Sequence, residues 1–356
     1  MSELDPYDAV LLVSFGGPEG PDEVLPFMQR VTAGRGIPDA RLRQVSRHYL
    51  DHFDGVSPIN AANRRLLQQL TAEFARRGWP EPLTWGNRNA APFLTDTMQE
   101  LAGAGHRRVV AVLTSAYPSY SSCRQYRENL HDALAEVTDA PQVDLVTPYG
   151  HRQGFARAQA EAVVTALAAT EHPQPRVVFV THSIPEAMND AAGPDGGAYL
   201  RWHLALAADV ADRVAAARGA AITWELAFCS RSGPPTVPWH EPDINDRLRE
   251  LAGLGEEAVV AVPFGFISDH MEVAYDLDIE AAATAAEVGI EFVRAATVGT
   301  DPRFVEMLCD ALADRARVAR GEAPVGELIG GGETWTPCPP DCCPNQRRPG
   351  GAALAT

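Results

Sequence analysis

The chain alternates short apolar runs with longer segments of helical periodicity, and this alternation limits the folds open to it. The runs have the length of buried strands, and the segments between them, such as FARAQAEAVVTALAA, carry apolar residues at helical spacing. Strands that alternate with helices form βαβ units, so we expect an α/β fold with parallel sheets covered on both faces. Two such sheets fit 356 residues. The predicted strands are AVLLVSF (9–15), VVAVLTS (109–115), VVFVTH (177–182), ITWELAF (222–228) and VVAVPFGF (259–266).

The periodic pattern breaks near the middle of the chain and again near its end. VTPYGHRQG (146–154) contains a proline and two glycines, which predicts a boundary near residue 150. The last 36 residues are rich in Gly, Pro and Cys and predict an irregular tail rather than another layer. The expected units are an N-terminal domain at 1–150, a second domain at 151–320 whose last helix is free to pack back on the first, and a tail at 321–356.

The composition of the chain limits the classes of partner that we expect it to bind. The formal net charge is −17, and a chain without a concentrated basic surface is a poor ligand for nucleic acid. No stretch reaches the roughly 18 apolar residues of a membrane span, and the start MSELDPYDAV is acidic rather than signal-peptide-like. Six cysteines do not suggest a disulfide scaffold in a chain of this length. We expect a cytoplasmic monomer with no nucleic-acid partner and no transmembrane segment.

Ligands of parallel α/β sheets bind beyond the carboxyl ends of the strands, so the loops that follow the strands matter most. All five predicted strands are followed by polar or Gly- and Pro-rich sequence, which favours a cleft over five plain turns. The first loop, FGGPEGPDE (15–23), matches neither a dinucleotide fingerprint nor a P-loop, and its acids would repel a pyrophosphate. A nucleotide enzyme is therefore not expected.

The stretch GFISDHMEVAYDLDIE (265–280) follows the fifth predicted strand and is dense in carboxylates. Glu272, Asp276 and Glu280 are four residues apart, so on a helix they would form a ladder of mutually repelling acids. Asp269 followed by Glu272 also fits a capping box at a helix start, which is a purely structural explanation for two of the acids. The pattern leaves open a solvated acidic face and a path for a cation.

His182 ends the third predicted strand in THSIP, where it would share a sheet edge with Glu272. A lone strand-end histidine is more often structural than catalytic. An imidazole that faces carboxylates, however, can accept a proton or bind a divalent first-row metal. The loop SRSGPPTVPWHEPD (230–243) is either a rigid surface loop or the source of a cation, Arg231, and an aromatic wall, Trp239, for a carboxylate-bearing substrate.

Several motifs stand in a fixed order along the chain, namely LLVSFGGPEG, VSPIN, GNRNAAPF, SAYPSYSSCRQYREN, VTHSIP, SRSGPPTVPW and, above all, VPFGFISDHMEVAYDLDIE. Taken together, they resemble the ferrochelatase family, whose members insert Fe²⁺ into a porphyrin. The similarity runs in consistent order from about residue 8 to residue 320. The resemblance implies two Rossmann-like, chelatase-type domains with the porphyrin in the cleft between them.

The resemblance also implies roles for single residues. His182 matches the family's active-site histidine and Glu272 the glutamate of its D-H-x-E motif. Asp276 and Glu280 match an acidic line that leads away from the porphyrin, so all four are candidate metal ligands. The chemistry agrees, because metallation must strip water from Fe²⁺ and remove two pyrrole protons, which are tasks for carboxylates and an imidazole base. Which residue acts first stays open.

Ser57 and Tyr126 fall where the family contacts the macrocycle, and Phe15 replaces a tyrosine that binds the product iron in some members. The stretch SYSSCRQYRENL is most like the actinobacterial-type enzymes, whose substrate is coproporphyrin III, with four propionates, rather than protoporphyrin IX, with two. More propionates need more polar anchors. Protoporphyrin IX, a related cobalt chelatase and a non-catalytic haem or metal carrier remain alternatives. Possible anchors are Arg35, Arg124, Arg127 and Arg231.

The tail holds Cys338, Cys342 and Cys343 within CPPDCCP. Free thiols and a zinc site are both possible, and three thiolates lack one ligand for tetrahedral zinc or a [2Fe-2S] cluster. Many ferrochelatases carry a C-terminal [2Fe-2S] cluster on three tail cysteines and one earlier cysteine, so the resemblance implies this cofactor. Cys229, which follows a predicted strand, is the expected fourth ligand, with Cys123 second.

Overall fold

The computed structural model describes residues 2–233, 236–346 and 351–354. The strands of its first sheet are all parallel. Val13 of the first strand lies between Gly86 and Leu113 of its two neighbours. The strands are β1 (Ala9–Ser14), β2 (Leu83–Asn87), β3 (Arg108–Leu113) and β4 (Gln142–Leu145), in the spatial order β2-β1-β3-β4.

The second sheet repeats this arrangement with the order β6-β5-β7-β8. In each sheet the strand that comes first in sequence lies inside, with the next strand on one side and the third on the other. The order therefore reverses beside β1 and beside β5, which is where a parallel α/β sheet opens a ligand crevice. The strands of the second sheet are β5 (Arg176–His182), β6 (Trp224–Cys229), β7 (Ala258–Val262) and β8 (Glu291–Arg294).

Helices connect the strands and cover both sheets. In the part of the chain that the structure describes, two π-helical turns interrupt the series, Tyr120–Arg124 before the fifth helix and Asp276–Ala281 after the tenth. The helices are α1 (Pro21–Val31), α2 (Asp39–Phe53), α3 (Pro58–Arg77), α4 (Leu94–Gly103), α5 (Gln125–Ala135), α6 (Gln153–Ala168), α7 (Glu186–Asp190), α8 (Ala198–Arg218), α9 (Ile244–Gly253), α10 (Met271–Tyr275), α11 (Ala282–Val288) and α12 (Pro302–Ala319).

The core is continuous between the two sheets. β1 and β7 are buried along their whole length because helices lie on both faces, and their sequences are accordingly unbroken apolar runs. One cluster of buried side chains extends from Val10 and Leu12 in the first sheet to Val177 and Phe179 in the second. The relative position of the two sheets is thus fixed by packing.

Helix α12 packs against α3, α6 and β3. Arg315 of α12 forms a buried ion pair with Asp144 of β4 at 3.1 Å, and the same carboxylate accepts a 2.8 Å hydrogen bond from Tyr7. The last helix therefore contacts the first sheet as well as the second half of the chain.

The structure confirms the α/β fold with two parallel sheets and adds three strands that the sequence did not predict. These are β2, β4 and β8, and all three lie at sheet edges. An edge strand has one solvent-facing side, so its sequence carries no continuous apolar run. LTWGN, QVDL and EFVR are short and mixed for this reason.

The described residues of the tail contain no helix or strand, but they pack closely on the rest of the molecule. The Trp335 ring lies 5.2 Å from that of Trp202, and the three tail cysteines are buried. No helix in the described ranges combines the length and apolarity needed to span a bilayer. Parts of two predicted segments lie outside the described residues, namely Pro234 and Pro235 of the proline-rich loop and 347–350 and 355–356 of the tail.

Candidate active site

His182 is the last residue of β5, at the carboxyl edge of the second sheet. Ser183 N–H donates to the carbonyl of Cys229 at 2.8 Å, and the Tyr199 hydroxyl donates to the carbonyl of His182 at 2.8 Å. Nδ1 of His182 contacts the carbonyl oxygen of Ser183. Because a carbonyl only accepts, the neutral ring carries its proton on Nδ1 and has its lone pair on Nε2. The side chain is 31% exposed, so Nε2 can be reached.

The loop after β7 crosses β5 at very short range and carries the acidic stretch to the site. Gly265 N–H donates to the carbonyl of Val180 at 3.2 Å. A Cβ at Gly265 would lie 2.1 Å from Oγ1 and 2.8 Å from Cα of Thr181, distances that real Cβ atoms do not show. This close approach is the physical reason for glycine here.

The N-cap of α10 is His270, whose Nδ1 accepts from the backbone N–H three residues on at 3.5 Å. Asp269 instead pairs with Arg294 at 3.1 Å and accepts from Thr297 Oγ1 at 3.2 Å. The expected capping box of Asp269 and Glu272 is therefore wrong, because the partners of Asp269 come from residues 25 and 28 positions away. Glu272 is left to face the site.

His182 and Glu272 meet at the edge of the second sheet. Nε2 of His182 is 3.8 Å from Oε2 of Glu272, whose side chain is 47% exposed. Two metal–ligand bonds of about 2.1 Å each span about 4.2 Å when in line, so this gap fits a first-row divalent ion at a wide angle. A lone pair and a carboxylate at this spacing can share a metal ion or a proton.

The acids of 269–280 divide into two groups. Arg294 pairs with Asp269 at 3.1 Å and Asp278 at 2.5 Å, which leaves Glu272, Asp276 and Glu280 as the predicted ladder. Burial raises the pKa of Asp276 to about 7; a hydrogen bond from Ser230 opposes this rise, and the charges of Glu272 and Glu280 add to it. Mutual repulsion of this kind makes a divalent cation a favourable neighbour.

A π-helical turn shapes this ladder. Four residues of an α-helix advance about 40° beyond a full turn, so acids at that spacing drift around the helix. The i→i+5 bonds of Asp276–Ala281 hold more residues per turn, so four residues there fall short of a full turn and rotate back against the drift between Glu272 and Asp276. Glu272 and Glu280, at the two ends of the ladder, therefore lie closer to one line than a continuous α-helix would place them.

Arg88 is a candidate site residue in the first domain that the sequence analysis missed. Its guanidinium lies 5.4 Å from the ring centroid of Phe15 and 4.4 Å from that of Tyr126, and it donates to Asn129 Oδ1 at 2.6 Å. Phe15 directly follows β1, and Arg88 directly follows β2. The signal was present in GNRNAAPF, but it follows an edge strand that the sequence did not reveal.

Ser57 and Tyr126 are both buried, with 3% and 4% exposure. Ser57 is the N-cap residue of α3 and packs so closely on Gly17 that a Cβ there would lie 2.6 Å from the serine Cβ. Tyr126 lies in α5, beneath Arg88. Both side chains lie behind the surface that Phe15 and Arg88 form in the first domain, which is called the first-domain wall below, and are not part of that surface.

Arg124 and Arg127 hold the tail. Arg124 donates to the carbonyls of Pro340 at 2.5 Å and Gly351 at 2.8 Å, and Arg127 donates to that of Leu354 at 2.7 Å. Both arginines are buried against the tail, so in this structure neither guanidinium is exposed to bind a substrate propionate. The candidate anchors that remain exposed are Arg35 and Arg231.

The tail cysteines form one buried group with Cys123 against the first sheet. The Sγ atoms of Cys342 and Cys343 are 3.5 Å apart. Hydrogen bonds of Cys338 with Cys342 and of Cys343 with Cys123, together with burial, raise the pKa of the Cys338 and Cys343 thiols. Gly193 N–H also donates to Cys343 Sγ at 3.2 Å. The tail is thereby tied to the loop that follows α7.

Cys229 does not join this group. It is the last residue of β6 and packs in the core cluster of the second sheet, where burial raises the pKa of its thiol. The structure therefore does not bring the expected fourth ligand, Cys229, to the tail cysteines; the second candidate, Cys123, lies beside them instead. Cys123 lies on the π-helical turn before α5, on which the tail packs.

Among the residues that the structure describes, no three His, Cys, Asp or Glu side chains stand arranged to hold a metal ion. His182 and Glu272 thus offer two protein ligands and leave the other positions of an ion open. The thiols, although in contact, would have to move to surround a metal.

Comparison with known proteins identifies the family. The ferrochelatase family model matches residues 7–316. A coproporphyrin III ferrochelatase of Streptomyces coelicolor is 49% identical over 96% of this chain and 94% of its own length, and a ferrochelatase of Rhodopirellula baltica is 43% identical over 96% and 95%. The solved structure of SirB from Bacillus subtilis with Fe³⁺ matches with a TM-score of 0.52 and 11% identity, over 89% of this chain and 98% of that one, and supports the fold alone. A family match over most of the chain, on a fold that brings His182 to Glu272, shows that the chain belongs to the ferrochelatase family of metal chelatases.

Proposed function

We propose that the protein inserts Fe²⁺ into coproporphyrin III. The observation that carries this proposal is the pair formed by Nε2 of His182 and Oε2 of Glu272, 3.8 Å apart at the reversal point of the second sheet. Relatives named coproporphyrin III ferrochelatase, 49% identical over nearly the full length of both chains, support the choice of porphyrin. The iron is a substrate of this reaction.

Iron delivery needs ligands that exchange. Carboxylates are hard donors suited to aqueous Fe²⁺, and Glu280, Asp276 and Glu272 offer successive binding points. Burial is the main cause of the raised pKa of Asp276, and the charges of Glu272 and Glu280 add to it; an arriving cation relieves this repulsion. Because no three ligand side chains of the described residues surround the ion, it keeps open positions for the pyrrole nitrogens.

Proton removal needs a base on one face of the ring. With the proton of the neutral imidazole on Nδ1, Nε2 of His182 is the acceptor, and the Glu272 carboxylate stabilises the imidazolium that forms. The same nitrogen cannot hold metal and proton at once, so Glu272 and the acids behind it keep the metal while His182 accepts protons.

The porphyrin would lie between the second-domain pair and the first-domain wall. Arg88, stacked on Phe15 and Tyr126, is a cation on that wall, and Ser57 backs it from beneath. The exposed Arg35 and Arg231 are the candidate partners for further propionates. Protoporphyrin IX as substrate and Co²⁺ as metal are the closest alternatives, since imidazole and carboxylate accept several divalent ions.

The test compares variants under anaerobic, reducing conditions with Fe²⁺ and either porphyrin. We expect His182→Ala and Glu272→Gln each to lower turnover of coproporphyrin III by about 100-fold or more, while porphyrin affinity, measured by fluorescence, changes little. Glu287→Gln, on the exposed face of α11, is the matched control and should match the unaltered protein.

Each contrary outcome has a definite meaning. Near-normal turnover by His182→Ala would overturn the assignment of the base. Faster turnover of protoporphyrin IX or of Co²⁺ would replace the proposed substrate or metal. Porphyrin binding without turnover by the unaltered protein would support a carrier instead of an enzyme.

We further propose that Cys123, Cys338, Cys342 and Cys343 hold a [2Fe-2S] cluster. The residues fit the group in number and kind, since four buried thiols lie in one chain of contacts, from Cys338 to Cys342, Cys343 and Cys123, and a cluster of this type takes four thiolates. Such a centre would contribute redox-active iron and a crosslink between the tail and α5. A tetrahedral zinc ion needs the same four ligands and is the alternative.

A further inference from the structure

A column of buried polar side chains lies directly beneath His182. Thr181 precedes it in β5, and Tyr199 and His203 lie one turn apart on α8. Oγ1 of Thr181 is 2.9 Å from the Tyr199 hydroxyl and 2.9 Å from His203 Nε2, and all three side chains are at most 5% exposed. Polar groups buried in this way are retained only when their hydrogen bonds are satisfied.

The donors in this column can be assigned from the acceptors. His203 Nδ1 is 2.7 Å from the carbonyl of Tyr199, which only accepts, so Nδ1 carries the proton of the neutral ring. Nε2 then accepts from the Thr181 hydroxyl. The Tyr199 hydroxyl therefore donates to the carbonyl of His182 at 2.8 Å, and Thr181 Oγ1 is a second acceptor for the same proton. His182 is the last residue of its strand, so this bond fixes the backbone from which its imidazole projects.

The column also reaches the first domain. Tyr117, which follows β3, stacks on His203 with ring centroids 3.7 Å apart and an interplanar angle of 17°. Its hydroxyl donates to the carbonyl of Phe264, one residue before the crossing glycine Gly265, at 2.8 Å. A side chain of the first domain thus packs against the groups that hold His182 in the second.

We infer that Tyr199 is a positioning residue that holds His182 in register with the first domain, through its hydrogen bond to the His182 carbonyl. This inference rests on the proposed function in assigning a reaction to His182. The placement of the ring itself can be measured without that reaction.

The test is Tyr199→Phe, which removes one hydroxyl and keeps the ring. The matched control is Tyr149→Phe, because Tyr149 is equally buried and donates to a carbonyl, that of Leu113, at the same 2.8 Å, without touching the column. Both variants should lose similar stability. Only Tyr199→Phe should lower kcat, by about tenfold, with the KM for porphyrin unchanged.

Imidazole resonances provide the readout that does not depend on activity. The protein has 10 histidines, and a His182→Asn spectrum assigns the signal of interest. We expect the His182 signal to shift in Tyr199→Phe and to stay in place in Tyr149→Phe. An unmoved His182 signal in Tyr199→Phe overturns the inference whatever the activity. A moved signal with unchanged kcat contradicts the proposed role of His182 and leaves the positioning intact.

Discussion

His203 should make the stability of the second domain fall in mild acid. The ring is fully buried, stacks on Tyr117 and accepts a hydrogen bond from Thr181 on Nε2. Burial lowers the pKa of His203 from 6.5 to about 3, with the hydrogen bond to the Tyr199 carbonyl opposing the shift. The folded protein therefore keeps this ring neutral at pH values where the unfolded chain protonates it.

The sign and the size of the pH effect on stability follow from the difference between the folded and unfolded pKa values of His203. Since the folded pKa is the lower one, the stabilisation is complete above pH 6.5 and is lost as the pH falls from 6.5 towards 3. At pH 5 the unfolded state gains about 2 kcal/mol from protonating this one ring. The gain continues to grow with further acidification until the folded state also binds the proton.

Urea unfolding at pH 7.5 and pH 5, followed by tryptophan fluorescence, measures this term. The unaltered protein should lose about 2 kcal/mol more on acidification than His203→Gln, because the variant lacks the titrating ring. His131→Gln, at an exposed position of α5, should keep the full pH dependence. Equal pH dependence in His203→Gln and the unaltered protein would refute the reasoning, as would a His203 resonance that titrates near pH 6.5.

Two further predictions concern packing and the thiols. Gly265→Ala should destabilise the protein by about 2 kcal/mol or more in urea unfolding, because the added Cβ would overlap Thr181. The control Gly253→Ala, with open space around the glycine, should change the free energy of unfolding by no more than about 1 kcal/mol. Equal effects of the two substitutions would mean that the loop after β7 moves easily to make room. Anaerobically purified protein should show the visible absorption of a [2Fe-2S] cluster that Cys123→Ala removes and Cys229→Ala retains. A colourless preparation with one zinc per chain would replace the cluster by a structural zinc site.

The interior strands of the fold could be predicted from sequence, and three of the edges could not. β1, β3, β5 and β7 are buried on both faces, so their apolar content is set locally and is visible without a structure. β2, β4 and β8 owe their strand state to pairing with a neighbour at one side, which a one-dimensional pattern does not record.

The candidate site also divides into residues whose roles could be predicted from the sequence and residues whose roles could not. His182 and Glu272 could be predicted because strand ends of one parallel sheet share an edge. The role of Asp269 could not, since Arg294 ends β8 and Thr297 lies in the loop that follows it. The fourth thiol depended on where the tail packs, and residue order along the chain says nothing about that. The cytoplasmic location, the monomeric state and the boundary near residue 150 stay predictions.

The π-helical turn Asp276–Ala281 is the form in which a helix holds one residue more than its α-helical turns need. Loss of one residue from this turn would therefore restore an ordinary helix and leave the chain that continues to β8 close to its present phase, so that β8 could still pair with β7. An added residue would have no such turn to accommodate it and would rotate the chain that follows by about 100°. The acidic segment can thus be shortened by one residue, but not lengthened, without turning Glu280 away from the line of Glu272.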